Sequence, residues 1–518
     1  MSELVKIKPE EAKAYFAQTS KYNIISMYQI KGADKEILEK AGLSLTNLEL
    51  LGQDNLELEQ KYINSFSANN NIDIAKVVSK EHKKYQYEVQ FFLNNSNYFQ
   101  QSIVETGYIY GISPFKDGRI VRSNQSFYHV NWLPIISYRF VAGGQVFYLV
   151  VGHYWGGKLF VYIPSQEIII RYHDSSIFGA GLNEADIINN LKGYMVSFSQ
   201  EVKYYQNNPN RKKVVAMLGS INNIGHFIWN ELPGMYHLYA NNILEKLDGV
   251  IVEPYEYFAI DSLFPQLAEN IIRIEDKNDI FSTILLNNYL VTRVTDVTLT
   301  KEFCQHIYEV SKKNCSPTCW QQVKEAKNHF PILWIGLRLH SRVWLSYEKY
   351  LENIIKNLHS KFPNLAVVFD GYSRMPREDA WLESIIAGEK EKVQQLTNRL
   401  PTNVKIYNLV GTTTYEKVVW ANAVDLYLSS PGSATAFVLW LANKPGVVHS
   451  NHVCREKWVV EQLLSRENAI MPTYIPEEYT VEEHPFHLNN NYDCDWEVIY
   501  NEIVKLLNTI QVEKTDPQ

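Results

Sequence analysis

The sequence predicts an α/β protein in which two successive halves are each built on a parallel sheet, preceded by an α+β region with an antiparallel meander. Two observations predict the halves: short apolar strands alternate with helical segments after residue 213, and the alternation restarts near Pro331. A third predicts the meander: Val-, Ile-, Phe- and Tyr-rich runs between residues 135 and 172 are separated by Gly-Gly and Pro-Ser pairs. We therefore expect two Rossmann-like domains that face each other across a cleft.

Length and composition limit the classes of function. The chain has 518 residues, 46% hydrophobic and 21% charged, which is enough to bury several cores and excludes wholesale disorder. A net charge of −7 argues against nucleic acid as the main partner. Five cysteines make no disulfide framework, and no run of residues is long and apolar enough to be a signal peptide or a spanning helix. We expect a cytoplasmic protein, with a peripheral membrane contact left open.

The N-terminal region divides into two predicted parts. Residues 1–80 are charged and helical in pattern, with one helix starting at Pro9 and another over Asp34–Leu51. Residues 81–206 form an accessory α+β domain, which ends in a helix from Asn183 to about Tyr205. Its meander strands are Ile135–Phe140, Gln145–Val151, Lys158–Ile163 and Glu167–Tyr172, with turns at Gly143-Gly144, Gly156-Gly157 and Pro164-Ser165.

In the rest of the chain, predicted strands alternate with helices in two successive halves. The first half, residues 207–325, has strands predicted at Val214–Leu218, Gly249–Val252, Ile271–Ile274 and Tyr289–Thr292, with a helix from Gly225 to about Leu247. The second half, residues 326–518, has strands predicted at Ile332–Leu337, Leu365–Phe369, Val404–Leu409, Asp425–Ser429 and Gly446–His449. Its predicted helices are Ser346–Lys361, Thr414–Ala423, Ala434–Ala442 and Trp496–Asn508.

A first candidate site follows the first strand of the first half. The loop Gly219–Gly225 leads into a helix that carries His226, with Asn230 four residues on and therefore on the same face. A helix N-terminus would lower the pKa of His226 and keep the imidazole neutral, so that it could act as a general base on a hydroxyl. The alternative is a core histidine that Asn230 holds in place.

A second candidate site follows the first strand of the second half. Arg338, His340 and Arg342 leave the end of this strand, where guanidinium groups can bind a diphosphate and neutralise its charge in place of a metal. The alternative is a salt bridge between the domains.

A third candidate site is a loop of small residues between a strand and an apolar helix. Gly432 permits close backbone approach, while Ser430, Ser433 and Thr435 add hydroxyl groups near the helix start, where backbone N–H groups bind anions. The alternative is an ordinary helix cap by Ser433. The same chemistry occurs one βα unit earlier, at Gly411, Thr412 and Thr413.

In this order the three motifs resemble those of glycosyltransferases of the two-Rossmann GT-B architecture, most of all the family-61 type of bacterial capsule and plant xylan enzymes. The matching positions are His226, Asn230, Leu232, Pro233, Arg338, Arg342, Gly432 and Ser433. The sequence departs from the family pattern at Gly234, where an arginine is usual, at Leu337, where a serine is usual, and at Pro431, where a histidine is usual. The resemblance covers about residues 214–451.

The resemblance implies a hexosyl- or pentosyltransferase of polysaccharide biosynthesis, inverting and independent of metal or cofactor. His226 would be the base, oriented by Asn230, on the acceptor domain 207–325. The donor domain 326–518 would bind the nucleotide-sugar diphosphate through the arginines and the small-residue loops, with Asp370 and His340 as further ligands of the sugar or ribose. The partners would be a nucleotide-sugar and a glycan or other hydroxyl acceptor, and the unassigned N-terminal region suggests a homo-oligomer.

Two other functions remain open. One is a non-catalytic GT-B partner, chaperone or glycan-binding protein, which would need no base. The other is a nucleotide-sugar epimerase, which would turn over the donor without an acceptor and use donor-side groups such as His340 and His449.

Overall fold

The structure is a computed structural model that describes residues 7–52, 98–130, 134–152, 157–172, 183–295, 299–377, 380–455, 466–482 and 489–515. Three sheets organise these residues: a mixed six-stranded sheet, a parallel four-stranded sheet and a parallel six-stranded sheet. The predicted fold class is therefore confirmed, with two parallel α/β halves preceded by an antiparallel meander. Gly156 of the predicted meander turn and residues 53–97 of the predicted N-terminal parts lie outside the described residues.

The N-terminal region is a mixed sheet flanked by helices. Its helices are α1 (Pro9–Thr19), α2 (Gly32–Lys40), α3 (Leu45–Gly52), α4 (Tyr98–Thr106), α5 (Glu184–Ser197) and α6 (Ser199–Asn207). Its strands are β1 (Asn23–Ser26), β2 (Ile109–Ile112), β3 (Ile120–Ser123), β4 (Ser126–His129), β5 (Ile135–Ala142), β6 (Gln145–Gly152), β7 (Gly157–Ile163) and β8 (Ile168–Arg171). The sheet order is β1-β8-β7-β6-β5-β4, antiparallel except for the parallel pair of β1 and β8, while β2 and β3 form a separate hairpin.

Two helices predicted as continuous are each divided. The predicted helix Asp34–Leu51 is α2 and α3, because Gly42 adopts a left-handed φ of +71° after the first. The predicted helix from Asn183 to Tyr205 is α5 and α6, which meet at Phe198 in a non-helical conformation. Asn183 caps α5 by accepting a hydrogen bond from the backbone N–H of Asp186 at 3.0 Å.

The first half is a four-stranded parallel sheet in the order β11-β10-β9-β12. Its strands are β9 (Lys213–Leu218), β10 (Gly249–Val252), β11 (Ile271–Arg273) and β12 (Tyr289–Thr292). Its helices are α7 (Ile224–His226), α8 (Leu232–Ala240), α9 (Ile260–Leu263), α10 (Asp279–Leu286), α11 (Lys301–Asn314) and α12 (Pro317–Ala326). The helix predicted to reach Leu247 ends at Ala240, because the chain turns through Asn242 at a φ of +57°.

The meander packs against the β12 edge of this sheet. Tyr138 donates its hydroxyl to the carbonyl of Val291 at 2.9 Å, and Tyr205 donates to the carbonyl of Tyr289 at 2.8 Å. The N–H of Val291 donates to Ser126 Oγ at 2.8 Å. Side chains of the N-terminal region thus satisfy backbone groups that an edge strand would otherwise leave open.

The second half is a six-stranded parallel sheet in the order β15-β14-β13-β16-β17-β18. Its strands are β13 (Ile332–Gly336), β14 (Ala366–Asp370), β15 (Lys405–Asn408), β16 (Leu426–Ser429), β17 (Gly446–Val448) and β18 (Thr473–Tyr474), and an antiparallel pair follows, β19 (Thr480–Glu482) and β20 (Tyr492–Cys494). Its helices are α13 (Tyr347–Lys361), α14 (Ala380–Thr397), α15 (Thr414–Ala423) and α16 (Trp496–Thr515).

A π-helical turn occurs in each half, and the two turns pack together. Phe227–Glu231 lies between α7 and α8, while Ala436–Leu441 replaces the α-helix predicted over Ala434–Ala442 and follows a 3₁₀ turn. The rings of Trp229 and Trp440, one from each turn, have centroids 5.7 Å apart. π-Helical turns interrupt the regular hydrogen-bond ladder and are frequent at functional sites. The two turns therefore mark the border between the halves as a place for a functional site.

Candidate functional site

The carboxyl ends of the two parallel sheets face each other across a cleft. Gly225, in the segment after β9, lies so close to the segment after β16 that an added Cβ would come within 3.2 Å of Ser433 Cβ. Hydrogen bonds also cross between the halves: Thr414 Oγ1 donates to the carbonyl of Tyr257 at 2.6 Å, and Arg377 Nη1 donates to the carbonyl of Ile274 at 2.8 Å. The cleft lies where open α/β sheets bind ligands.

Two cavities occupy this cleft and adjoin each other. The interdomain cavity is lined by residues of both halves. The first-half cavity is lined by Ser220, Ile221, Asn222, Asn223, His226, Tyr255 and Lys277. Because Asn222 and Asn223 line both, a molecule that spans the two cavities would contact both halves.

His226 stands in the wall of the first-half cavity, with its backbone fixed by a cap. Asn223 Oδ1 accepts hydrogen bonds from the N–H groups of Gly225 at 2.8 Å and His226 at 3.4 Å. The imidazole Nδ1 lies 2.7 Å from Oδ1 of the fully buried Asn230. With Nδ1–H donating to that amide oxygen, Nε2 is the basic atom of the ring.

Burial keeps this imidazole neutral. It lowers the pKa of His226 to about 4, a shift that the hydrogen bond to Asn230 opposes and the positive charge of Arg293 reinforces. The sequence analysis expects a helix N-terminus to lower this pKa, whereas in the structure the main cause is removal of the imidazole from water. The predicted neutral state at pH 7 follows either way.

Buried charges that the sequence did not single out lie behind His226. Glu231 Oε2 accepts from the N–H of Gly219 at 2.7 Å, and Arg293 Nη2 lies 3.5 Å from Glu231 Oε1. Burial raises the pKa of Glu231 to about 7, against the lowering effect of Arg293. Arg293 directly follows β12, and a charged residue at the carboxyl end of a strand made only of apolar residues and threonine is the signal that could have revealed it.

We expect Glu231→Gln to change how stability depends on pH. The pKa of Glu231 in the folded protein, about 7, exceeds its ordinary value of 4.5, so the folded state holds this proton more tightly than the unfolded chain. The resulting stabilisation is complete below pH 4.5 and is lost as the pH rises through 7, a change of about 3 kcal/mol in the free energy of unfolding. The Tm of the variant should therefore rise relative to wild type between pH 5 and pH 8.

The matched control is Glu309→Gln, at an exposed carboxylate whose pKa is lowered first by its hydrogen bond to Lys312. This variant should show no such gain at high pH. A Tm difference between Glu231→Gln and wild type that stays constant from pH 5 to pH 8 would contradict the prediction.

Of the two predicted arginines, one reaches the interdomain cavity. Arg338 lines the interdomain cavity, where its Nε donates to the carbonyl of Ser341 at 3.1 Å and its Nη1 donates to the carbonyl of Pro431 at 3.3 Å. Arg342, at a left-handed φ of +55°, lines a smaller cavity within the second half and places Nη1 3.6 Å from Cys454 Sγ. Of the two arginines, Arg338 lines both spaces and Arg342 lines the smaller one.

The loop after β16 reaches the interdomain cavity through one of its predicted residues. Ser433 lines that cavity, and Gly432 precedes it at a φ of +93°, which a side chain would strain. Ser430 is buried and lines the smaller cavity beside Arg342. Thr435 is fully buried and its hydroxyl donates to the carbonyl of Gly432 at 2.8 Å, so it shapes the turn.

The structure gives the earlier small-residue loop a structural role and does not bring it to the cavity. Thr412 Oγ1 donates to the carbonyl of Leu409 at 2.9 Å, and Thr413 caps α15 by accepting from the N–H of Glu416 at 3.3 Å. Gly411 adopts a φ of +72° and its N–H donates to the carbonyl of Tyr372 at 2.8 Å. Both hydroxyls predicted to bind phosphate thus have a role in the fold, Thr412 as a donor within its loop and Thr413 as the acceptor of a helix cap.

Asp370 and His340 both line the interdomain cavity. Asp370 forms an ion pair with the fully buried Lys417 at 2.6 Å, and burial raises the pKa of its carboxyl group. His340 is 48% exposed, and its Nε2 lies 3.9 Å from Oε1 of Glu389, a buried carboxylate that the sequence did not single out. Burial raises the pKa of Glu389 to about 7. His449, by contrast, lines only the smaller cavity, with Nδ1 2.8 Å from the hydroxyl of Tyr492.

The structure leaves no room for a side chain at Gly234, where the resemblance would place an arginine. A Cβ atom on this residue would lie 2.5 Å from the carbonyl oxygen of Val294. The chain after β12 therefore occupies the space that an arginine side chain would need.

Comparisons with known proteins find similar structures but no similar sequences. No family model matches the chain, and no curated protein matches it. One similar structure is that of E. coli ADP-heptose lps heptosyltransferase II, which is 11% identical. The match covers 62% of this chain and 81% of that chain, with a TM-score of 0.28. The UDP-GlcNAc 2-epimerase of Methanocaldococcus jannaschii is 11% identical over 64% and 77%, with a TM-score of 0.29. The α,α-trehalose-phosphate synthase of Burkholderia xenovorans is 7% identical over 62% and 70%, with a TM-score of 0.30.

Similarity at this level says nothing about substrate or reaction, and the resemblance to family 61 stays a prediction. Within the described ranges, no helix combines the length and apolar character that crossing a bilayer requires. The described side chains also include no group of three or more His, Cys, Asp or Glu residues that could hold a metal ion.

Proposed function

We propose that the protein is a glycosyltransferase that moves a sugar from a nucleotide-sugar donor to a hydroxyl acceptor, with inversion and without a metal ion. One observation carries the proposal: the imidazole of His226, oriented by Asn230, and the guanidinium of Arg338 lie on opposite halves, in the walls of two adjoining cavities. The imidazole can act as a base on one half, and the guanidinium on the other half can neutralise negative charge. The first half then binds the acceptor and the second half binds the donor.

The base acts on the acceptor hydroxyl. His226 Nε2 takes its proton as the hydroxyl oxygen attacks the anomeric carbon, and Asn230 Oδ1 stabilises the imidazolium through Nδ1–H. A single displacement from the face opposite the leaving group inverts the anomeric centre. The imidazolium then releases its proton to solvent.

The second half receives the leaving group. As the bond between the anomeric carbon and the diphosphate oxygen breaks, negative charge gathers on the diphosphate. Arg338 and the hydroxyl of Ser433 line the cavity where this charge would develop. An arginine can supply the neutralisation for which other enzymes use a divalent cation, which is why we propose metal-independent transfer.

A second candidate function, nucleotide-sugar epimerisation, rests on His340 and Glu389. These two side chains lie 3.9 Å apart in the wall of the interdomain cavity, on the donor side, and form an acid–base pair without any need for an acceptor. Turnover of the donor alone would distinguish this reaction from transfer.

The test begins with the pure protein, EDTA and a panel of UDP-, GDP-, CMP-, ADP- and dTDP-sugars. We expect one nucleotide class to raise the Tm, since a ligand at a hundredfold excess over its Kd stabilises the native state by about 2.7 kcal/mol. With that donor, an acceptor panel should give release of the nucleotide that depends on acceptor, and NMR of the product should show inversion. Donor turnover without acceptor would favour the epimerase. Neither binding nor turnover would contradict both and favour a non-catalytic partner protein.

A further inference from the structure

A buried chain of hydrogen bonds links the N-terminal meander to the first-half cavity. Tyr128, on β4, donates its hydroxyl to Oε1 of Glu253 at 2.5 Å, and Ser220 Oγ donates to the same oxygen at 2.5 Å. Glu253 is fully buried and directly follows β10. Ser220 lines the cavity. The N-terminal region therefore contacts the wall of the site through one carboxylate.

The other oxygen of Glu253 holds a lysine at the cavity wall. Lys277 Nζ lies 3.3 Å from Glu253 Oε2 and donates to the carbonyl of Ser220 at 3.1 Å. The ammonium also lies 4.9 Å from the centre of the Tyr255 ring. Since an ammonium has three N–H donors and Lys277 gives one to the carbonyl of Ser220, at least one remains for a molecule in the cavity.

The surroundings of Lys277 are those of a binding residue and not of a sealed ion pair. Its side chain is 25% exposed, whereas that of Glu253 is fully buried. Lys277 and Tyr255 line the same cavity as His226. An aromatic ring beside a hydrogen-bond donor suits a sugar, because the ring contacts its C–H face while the donor binds a hydroxyl or ring oxygen.

We propose that Lys277 binds the acceptor by donating to an acceptor oxygen near the reacting hydroxyl, and that Tyr128 positions Lys277 through Glu253. The inference rests on the proposed function and extends it: the acceptor is itself a sugar, and the N-terminal meander is part of its site. Lys277 touches the substrate, while Tyr128 and Glu253 act only through it.

The experiment compares two tyrosine variants of the full chain. Tyr128→Phe removes the hydroxyl that holds Glu253, and its matched control is Tyr138→Phe on the neighbouring strand, where an equally buried hydroxyl donates to the backbone of Val291. We expect Tyr128→Phe to raise the KM for the acceptor about tenfold, with kcat and the KM for the donor within about twofold of wild type. Tyr138→Phe should lower the Tm without changing the KM for the acceptor.

Variants of the lysine provide a second readout. Lys277→Gln should raise the KM for the acceptor by a factor of about ten or more. Lys277→Arg should bring this KM most of the way back to the wild-type value, because arginine keeps the charge and the hydrogen-bond donors. The control is Lys246→Gln, which removes an ion pair with Glu105 away from the cavity and should leave both KM values unchanged. The Tm shift given by the donor should persist in every variant.

The outcomes separate the inference from the proposed function. If wild type transfers sugar but Tyr128→Phe and Tyr138→Phe have the same KM for the acceptor, the inference is overturned and the function stands. If wild type shows no transfer that depends on acceptor, both fall. If Tyr128→Phe does not fold, equal KM values for Lys277→Gln and wild type overturn the inference.

Discussion

Replacement of His226 by alanine should lower kcat by about 100- to 10,000-fold, the range in which a positioned general base contributes. The imidazole is neutral at pH 7 because burial lowers its pKa to about 4, and Asn230 holds Nδ1–H so that Nε2 is the basic atom. Without it, the acceptor hydroxyl must lose its proton to water. The measurement is initial-rate transfer at saturating donor and acceptor, with donor binding followed by Tm shift and expected to be unchanged.

The control for this variant is His306→Ala. His306 lies in α11 of the same half and is partly buried, but its Nε2 is 2.9 Å from the backbone carbonyl of Leu263, outside both cavities of the cleft. It should lose stability and keep kcat. A His226→Ala protein that keeps kcat within about threefold of wild type would make His226 the core histidine that the sequence also allowed. Persistent binding to a partner protein would then favour the non-catalytic alternative.

The pairing of His226 with Asn230 shows how far a local pattern can carry a prediction. A spacing of four residues placed both on one helix face, and their polar atoms lie 2.7 Å apart although the turn between them is π-helical rather than α-helical. The strand ends were predictable for the same reason, since short apolar runs between turn residues depend on neighbours in sequence. Arg338 and Ser433 therefore reach one cavity as expected from two separate motifs.

The threonines after β15 show where a local pattern stops. A threonine before a helix can cap it or bind a ligand, and the sequence is the same in both cases. Thr413 caps α15, and the Thr412 hydroxyl donates within its own loop. Backbone hydrogen bonds to Tyr372 and Arg374, on another segment, hold the loop in this conformation.

The residues that the sequence missed depend on distant partners. Glu253 acquires its role from Tyr128, 125 positions earlier, and the backbone of Val294 leaves no room for a side chain at Gly234. No periodicity in one segment reports a contact with another, so the buried carboxylates could be placed at strand ends but not paired. The same limit applies to β1, whose partner is β8.

Replacement of Arg338 by alanine is the other change with a large expected effect. Its Nε and Nη1 bind the carbonyls of Ser341 and Pro431, which fixes the guanidinium at the cavity wall and leaves Nη2 to the ligand. A preorganised donor at the site where charge develops contributes about 100- to 1,000-fold to kcat. We therefore expect kcat/KM for the donor to fall by at least that factor and the Tm shift given by the donor to be lost.

Two further variants separate charge from architecture, since the same contacts also join two loops. Arg338→Lys keeps the charge and can bind one carbonyl, but it has no planar fork, so it should keep the Tm of wild type better than its activity. Arg374→Ala removes an exposed arginine of the same half that pairs with Glu383 at 2.7 Å, and it should leave donor binding unchanged. If Arg338→Ala loses stability but binds the donor with the affinity of wild type, the guanidinium holds the loops together. The charge of the leaving diphosphate would then have to be met elsewhere, and Arg342 in the smaller cavity would be the next arginine to test.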